Sequence, residues 1–378
     1  MNSIHKVFTL MHAGNINILH TEWSCGWGGQ EIRILNEMLA LKKTGIQSFL
    51  ACKKGSVLGQ KAKNAGFDVF TLPFRNNVDL YTLTQLISLI KNHHIDIVNT
   101  HSGKDTWVGG LAAKLSGAKF IRTRHLSNPI NPSRFNFINE LADFVITTGE
   151  SVKEAMIRDN RIVPDKIASI PTGVEMSRFD PKRFNKAASK AAFGLPQNAF
   201  VIGNLGVLRG FKRHDLLITS VVPLLEKLPE LFLIIAGEGP QRASLEQLIA
   251  DQPSAIASRI RLLGHTDQPE RFLAALDLFV QSSDANEGVP QSVMQALAMG
   301  LPVIATDAGS TADLLAGENM HLVKAGSSEA LREAIETLVD DPQSRERLAC
   351  QARESIASRF SQEAMVEQLL AVYRKVLK

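Results

Sequence analysis

Four short stretches of this chain concentrate residue types that do chemistry. Gly206-Val207-Leu208-Arg209-Gly210-Phe211-Lys212-Arg213 sets three cations within five residues around a glycine. Fixed positive charge with close backbone approach suits a diphosphate. A solvated basic turn is the plainer alternative, disfavoured by the apolar run that precedes the stretch. Gly237-Glu238-Gly239-Pro240 follows the next apolar run and has the small residues needed to line the same place. The longest stretch is Asp284-Ala285-Asn286-Glu287-Gly288-Val289-Pro290-Gln291-Ser292-Val293-Met294-Gln295-Ala296. Its Pro290 reads as the first helical residue, where a fixed φ and a missing N–H are both suited. Glu287 then stands at the helix start beside the free amides of residues such as Gly288 and Val289. Such amides can hold a phosphate or sugar hydroxyls while the carboxylate accepts hydrogen bonds from hydroxyls. Taken alone, the stretch favours the simpler reading of an acid complementing the helix dipole. In Gly26-Trp27-Gly28-Gly29-Gln30-Glu31, Gly28 and Gly29 would let backbone N–H groups approach a phosphate at a helix N-terminus. It is not the Gly-x-Gly-x-x-Gly fingerprint, and a tight strand-to-helix turn without a ligand explains it equally well.

The elements that must position these stretches alternate in type. Apolar, β-rich runs at 16–19, 49–52, 69–72, 95–98, 119–123 and 144–147 read as buried strands. Between them, 30–44 places Ile34, Leu35, Met38, Leu39 and Leu41 on one broad face and ends at Gly45, while 80–92 turns Leu83, Leu86, Ile87 and Ile90 inward. Strand, helix, strand at this spacing means parallel pairing with right-handed crossovers. The alternation restarts with strands expected at 201–205, 232–236, 260–263, 278–280 and 302–305. The fold class expected is therefore α/β, with two doubly wound Rossmann-like domains facing across a cleft. Ligands of such sheets lie beyond the carboxyl ends of the strands, where all four glycine-bearing loops fall. The expected boundaries are a first domain at 1–180, a linker at 181–198 rich in Lys, Asn, Ala and Ser, a second domain at 199–360, and a last amphipathic helix within 361–378 that packs back on the first domain.

Composition narrows the classes. With 44% hydrophobic and 21% charged residues the chain is an ordinary globular protein. A net charge of +4 does not point to a nucleic-acid binder, and no nucleic-acid partner is expected. Residues 1–180 hold 21 Lys and Arg against 15 Asp and Glu, a net of +6, and the remainder has a net of −2. A basic first half could face an anionic membrane surface or an anionic substrate, or be merely a solvated surface. Three scattered cysteines argue for a reducing compartment. The apolar run from Val7 to Met11 is too short for the core of a secretory signal, and no segment approaches a membrane span. The expected location is cytoplasmic, with any membrane contact peripheral.

The order of the motifs resembles family 4 of the retaining glycosyltransferases, the bacterial-type group 1 enzymes with the two-domain fold called GT-B. The resemblance covers nearly the whole chain. It runs from Gly28-Gly29 through Asn99-Thr100-His101, Arg124-His125, Pro171-Thr172-Gly173-Val174-Glu175 and Arg178-Phe179. It continues with Lys212, Gly237-x-Gly239-Pro240, Glu287-Gly288-x-Pro290, Gly300-x-Pro302-Val303 and Ala308-Gly309. What it implies is a nucleotide-sugar donor, with Gly28 and Gly29 approaching its phosphate, Lys212 neutralising the diphosphate and Glu287 contacting sugar hydroxyls. His125 is similar to the histidine that lines the acceptor side near the reacting carbon; on the sequence alone it would read as a core histidine. The resemblance implies no metal and no cofactor, the cations doing the work of a divalent ion.

Two positions depart from the family pattern. Val207 stands where an Arg is usual, and Arg209 could reach the diphosphate instead. Gln295 stands where a second Glu usually holds the ribose; an amide still bonds both ribose hydroxyls, but a charge-assisted bond contributes ~1.5–3 kcal/mol against ~0.5–1.5 for a neutral one. The expected function is retaining transfer of a sugar to a hydroxyl of a glycan or lipid-linked acceptor, in lipopolysaccharide or another cell-surface polysaccharide. The alternatives are a nucleotide-sugar epimerase of the same fold and a non-catalytic sugar-nucleotide-binding relative, the latter favoured only by Gln295.

Overall fold

The computed structural model describes residues 16–125, 137–284 and 287–378. The apolar run at 7–11 and the Ala285-Asn286 pair of the longest motif lie outside them. The chain divides into two compact units, one running to Gly173 and taking in Gln362–Lys378, the other Val174–Ser361.

The first unit alternates as the spacing requires. Its elements are β1 (Asn17–Glu22), α1 (Gly29–Lys42), β2 (Gln47–Cys52), α2 (Val57–Asn64), β3 (Asp68–Thr71), α3 (Leu80–Asn92), β4 (Ile97–Thr100), α4 (Gly103–Ser116), β5 (Lys119–Arg124), β6 (Phe144–Thr147), α5 (Glu150–Asn160) and β7 (Ile167–Ser169). The strands form one sheet in the order β3-β2-β1-β4-β5-β6-β7, every described pairing parallel. The order reverses between β1 and β4, so the crevice beyond their carboxyl ends is where such a sheet receives ligands. Helix α3 starts where the Asp79 side chain accepts the Thr82 N–H, and it buries Thr82, Leu86, Leu89 and Ile90. The C-terminal helix Gln362–Leu377 packs on this unit, as expected. Its Met365, Leu369, Leu370, Val372 and Val376 join Ile18, Leu41, Ile97, Ile121 and Ile146 in one core cluster. Tyr373 belongs to the same cluster, and its hydroxyl donates to Glu37 Oε1 at 3.0 Å.

The second unit opens with α6 (Lys186–Ala192). It continues through β8 (Phe200–Leu205), α7 (His214–Lys227), β9 (Leu231–Ala236), α8 (Arg242–Ala250), α9 (Ser254–Ala257), β10 (Ile260–Gly264), α10 (Pro269–Ala274) and β11 (Leu278–Gln281). It ends with α11 (Gln291–Ala298), β12 (Val303–Asp307), β13 (His321–Lys324), α12 (Ser328–Asp340) and α13 (Pro342–Arg359). The sheet order is β10-β9-β8-β11-β12-β13, again parallel, with its reversal between β8 and β11. Residues 181–198, expected as a linker, fold into this unit. Phe179, Leu195 and Ala199 lie in its core, and the buried Lys190 ammonium pairs with Asp277 at 2.9 Å and donates to the Ala199 carbonyl at 2.6 Å.

Two details differ from the sequence reading. Pro290 is extended, at φ −71° and ψ 116°, and caps α11 rather than opening it; the helix begins one residue later. β1 runs on to Glu22, because the polar His20, Thr21 and Glu22 are wholly buried at the end of the strand. Among the described residues no helix is long and apolar enough to cross a membrane.

Candidate active site

Each unit carries a cluster at the carboxyl ends of its central strands. In the second unit, the β8 loop closes in a short 3-10 turn at Gly210–Lys212. Lys212 Nζ lies 2.5 Å from Glu287 Oε1, which also accepts the Ser283 hydroxyl at 2.5 Å. Ser282, beside it and just past the end of β11, donates to the Lys212 and Arg213 carbonyls at 2.9 and 3.0 Å. Two consecutive serines thus hold both the backbone under the cation and the carboxylate that balances it. Glu287 is buried, only 6% exposed, and a charge at such depth is sustained by a partner of opposite sign.

The glycines around this pair make room for backbone. A Cβ at Gly237 would lie 1.8 Å from the Gly206 carbonyl oxygen, and one at Gly239 would lie 2.5 Å from that of Leu208. These contacts join the β8 and β9 loops, with Gly206 N–H donating to Ala236 and Leu208 N–H to Glu238, both at 3.0 Å. Gly309, at φ +59°, packs against Glu287 so tightly that a Cβ would lie 1.9 Å from the Glu287 carbonyl oxygen. The motif glycines therefore assemble the loops that carry Lys212 and Glu287. Arg209 and Val207 are exposed, Gly288 and Gln295 half-buried, Val289 and Pro290 buried. Arg213 is paired with Asp215 and Asp284, each at 3.1 Å. The structure thus brings Lys212, Glu287 and the 237–239 loop together around the start of α11.

His214, the first residue of α7, was not picked out by sequence. Its Nε2 meets Asn204 Oδ1 at 3.0 Å, Asn204 in turn donates to the Val280 carbonyl at 2.7 Å, and the His214 Nδ1 is buried without a partner among the described residues. Burial, reinforced by Lys212, lowers its pKa to about 4, so the ring is neutral near neutral pH.

In the first unit, His20 at the end of β1, His101 just after β4 and His125 just after β5 form a row. His20 Nδ1 is 3.0 Å from His101 Nε2, and His101 Nδ1 is 2.9 Å from His125 Nε2. The first two rings are stacked, with centroids 5.3 Å apart and planes 16° from parallel. Beside the row, Asp105 accepts the Thr21 hydroxyl at 2.8 Å and the His101 and Ser102 N–H groups at 2.9 Å. Burial raises the Asp105 pKa, with Arg122 working against it. The Arg122 guanidinium is itself buried, held down to about 10 by loss of solvent. Glu22 is buried and lifted to about 7 by desolvation and by Asp105, while it accepts from the Ser24 N–H at 2.8 Å and from the Gln30 amide. A carboxyl in that state holds its proton through much of the mildly acidic range.

Gly28 and Gly29 do open α1, but the Gly28 N–H donates to Glu31 Oε2 at 2.8 Å, so the helix caps itself in this conformation. His20, Glu22 and Asp105 escaped the sequence reading. The legible signal was a polar triplet closing an apolar strand, His20-Thr21-Glu22 in β1 and its neighbour Asn99-Thr100-His101 at β4.

Comparison with known proteins fits this geometry. The profile of a family described as Glycosyltransferase Family 4 matches residues 27–178. That of Glycosyl transferases group 1 matches residues 185–355, which carry the Lys212–Glu287 pair. The lipopolysaccharide core biosynthesis glycosyltransferase LpsE of Rhizobium meliloti is 33% identical over 189 residues, 49% of this chain and 54% of its own length, so the chain spans about half of that relative. The UDP-Gal:alpha-D-GlcNAc-diphosphoundecaprenol alpha-1,3-galactosyltransferase of Escherichia coli is 25% identical over 344 residues, covering 86% and 88% of the two chains. A crystal structure of a glycosyltransferase from Rickettsia africae shares the fold with a TM-score of 0.88 over 97% of this chain and 99% of its own, at 21% identity. Two doubly wound parallel sheets with these matches define the GT-B fold. The chain belongs to the group 1 glycosyltransferases, with family 4 character in its first unit.

Proposed function

We propose that the protein moves a sugar, with retention of configuration, from a nucleoside-diphosphate donor to a hydroxyl of a glycan or lipid-linked acceptor in the synthesis of lipopolysaccharide or another cell-surface polysaccharide. The observation that carries this reading is the Lys212–Glu287 pair, fixed by Ser282 and Ser283 at the reversal point of the second sheet. An ammonium has three donors, and a donor diphosphate arriving there would take those that Glu287 does not use. Glu287 is then left to accept from sugar hydroxyls. The names of the relatives support a nucleotide-sugar donor and a lipopolysaccharide or lipid-linked acceptor.

In this reading an acceptor hydroxyl oxygen bonds to the anomeric carbon as the bond to the diphosphate breaks, and the acceptor proton passes to the departing diphosphate on the same face. Lys212, with Arg209 from the same loop, stabilises the charge that develops on the leaving group. No metal and no cofactor enters the scheme. Attachment to an anionic membrane surface through the basic first half, on the cytoplasmic side, belongs to the same proposal.

The test is a screen of nucleotide-sugars for stabilisation of the protein and for slow donor hydrolysis, followed by the Lys212→Ala variant. That variant should lose at least tenfold in donor affinity or turnover, about 1.4 kcal/mol. Unchanged kinetics in a folded Lys212→Ala protein removes the loop from the site. Conversion of the donor to an isomer without any acceptor would make the enzyme an epimerase.

A further inference from the structure

The histidine row holds more information than the identity of its outermost ring. Three neutral imidazoles carry three N–H protons, one each. The two N···N contacts, 3.0 Å between His20 and His101 and 2.9 Å between His101 and His125, each need one of those protons. The third must sit at one end of the row, on His20 Nε2 or on His125 Nδ1. No other arrangement keeps both bonds.

The two ends differ. His20 is wholly buried, and its Nε2 has no hydrogen-bond partner among the described residues. An N–H there would be a donor stripped of water with nothing to accept it, the arrangement folded proteins tolerate least. The charged groups facing this ring are Glu37 and Arg33. Glu37 is already engaged: Oε2 accepts from Arg33 Nε at 3.1 Å, and Oε1 from the Tyr373 hydroxyl at 3.0 Å and the Asn99 amide at 3.4 Å. The neighbouring Arg33 guanidinium has a buried Nη2 that also lacks an acceptor among the described residues. A bare nitrogen beside a cation is the better placed of the two alternatives. His125, by contrast, is only half-buried.

We infer that His20 and His101 are positioning residues that fix the tautomer of His125, so that His125 offers an Nδ1–H donor to an oxygen of the substrate and does not act as a base. The order of donation runs outward: His20 Nδ1–H to His101 Nε2, His101 Nδ1–H to His125 Nε2. Burial keeps all three rings below the usual histidine range, which preserves the count of one proton per ring; Arg122 adds to this at His101, and Arg33, Arg122 and Arg124 add to it at His125. The inference deepens the glycosyltransferase reading and rests on it for the identity of the oxygen. A donor at this place leaves the acceptor proton to the departing diphosphate, as the proposed reaction requires.

Long-range 15N–1H spectra of the full chain with labelled histidine, taken without substrate, read the tautomers directly. The expected pattern is a protonated Nδ1 and a bare Nε2 at all three rings. Protonated Nε2 throughout would overturn the assignment. The second arm uses His20→Leu, which removes the first donor, and His20→Asn, whose amide sits where Nδ1 stood. His20→Leu should leave His125 divided between tautomers and lower kcat about tenfold with donor KM little changed, while His20→Asn should restore both within about twofold. A His20→Leu protein with the wild-type His125 tautomer and wild-type kcat would also sink the idea. The spectra need no turnover, so a chain that shows the expected tautomers and transfers no sugar would condemn the functional reading and leave the proton order measured.

Discussion

Glu287 and Gln295 lie one helix start apart and should fail in different ways. Glu287 is buried, paired with Lys212 and proposed to touch the reacting sugar, so Glu287→Ala should lower kcat. Gln295 is half-buried on α11 and proposed to hold the ribose, a contact equal in ground and transition states, so Gln295→Ala should raise donor KM more than it lowers kcat. Steady-state kinetics on the two variants separate the roles; equal changes in both parameters for both would undo the assignment. A second prediction follows from His214, whose pKa falls to about 4 in the folded protein. The unfolded chain takes up a proton near pH 6.5 and the native ring does not, so stability is whole above that pH and declines as pH falls toward about 4. Over that window the loss approaches ~3 kcal/mol. His214→Gln keeps the donor to Asn204 and should flatten the acid limb of a melting-temperature profile; an unchanged profile would show that the ring is not held neutral. Lys212 and Glu287 were legible because their neighbours in sequence are glycines and prolines with fixed uses. His214 and His20 were not, since a lone histidine at the edge of an apolar run carries no mark of what lies across the sheet.

Among the elements, the long periodic ones could be read, as could the edge strands β3 and β10, whereas β7 and β13 could not. Helix α3 and the C-terminal helix occupy the spans their apolar spacing predicts. β7, with three residues, and β13, with an exposed residue at each end, lie at sheet edges where one side needs no apolar cover, so no run of buried residue types marks them. The position of Pro290 just ahead of α11 reflects the same limit: its φ suits both the cap and the first turn, and only its ψ separates them. The loop after β12 yields a prediction of its own. Gly309→Ala would place a methyl where the Glu287 carbonyl oxygen stands and would demand a left-handed φ, so it should cost at least ~1–3 kcal/mol and displace Glu287. Denaturant unfolding should show the loss, and donor titration should weaken with it. A variant as stable and as tight-binding as wild type would mean that the loop does not brace the carboxylate.

Over the whole molecule, charge is divided unevenly, +6 over residues 1–180 against −2 over the rest. If that excess serves a lipid surface, the protein should sediment with anionic vesicles, not with neutral ones, and detach as salt rises, because the attraction is screened over roughly 8 Å at physiological ionic strength. Equal partition to both vesicle types would leave the charge as ordinary solvation. The division into units has a different consequence, which concerns time. The helix that completes the first unit stands in the chain after the roughly 190 residues of the second unit. On the ribosome, at ~5–20 residues per second, the sheet face formed by Ile18, Ile97, Ile121 and Ile146 stays without this helix for about ten to forty seconds after its own strands have emerged. The unit made first is finished last, and through that interval its apolar face is open to chaperones or to a neighbouring nascent chain.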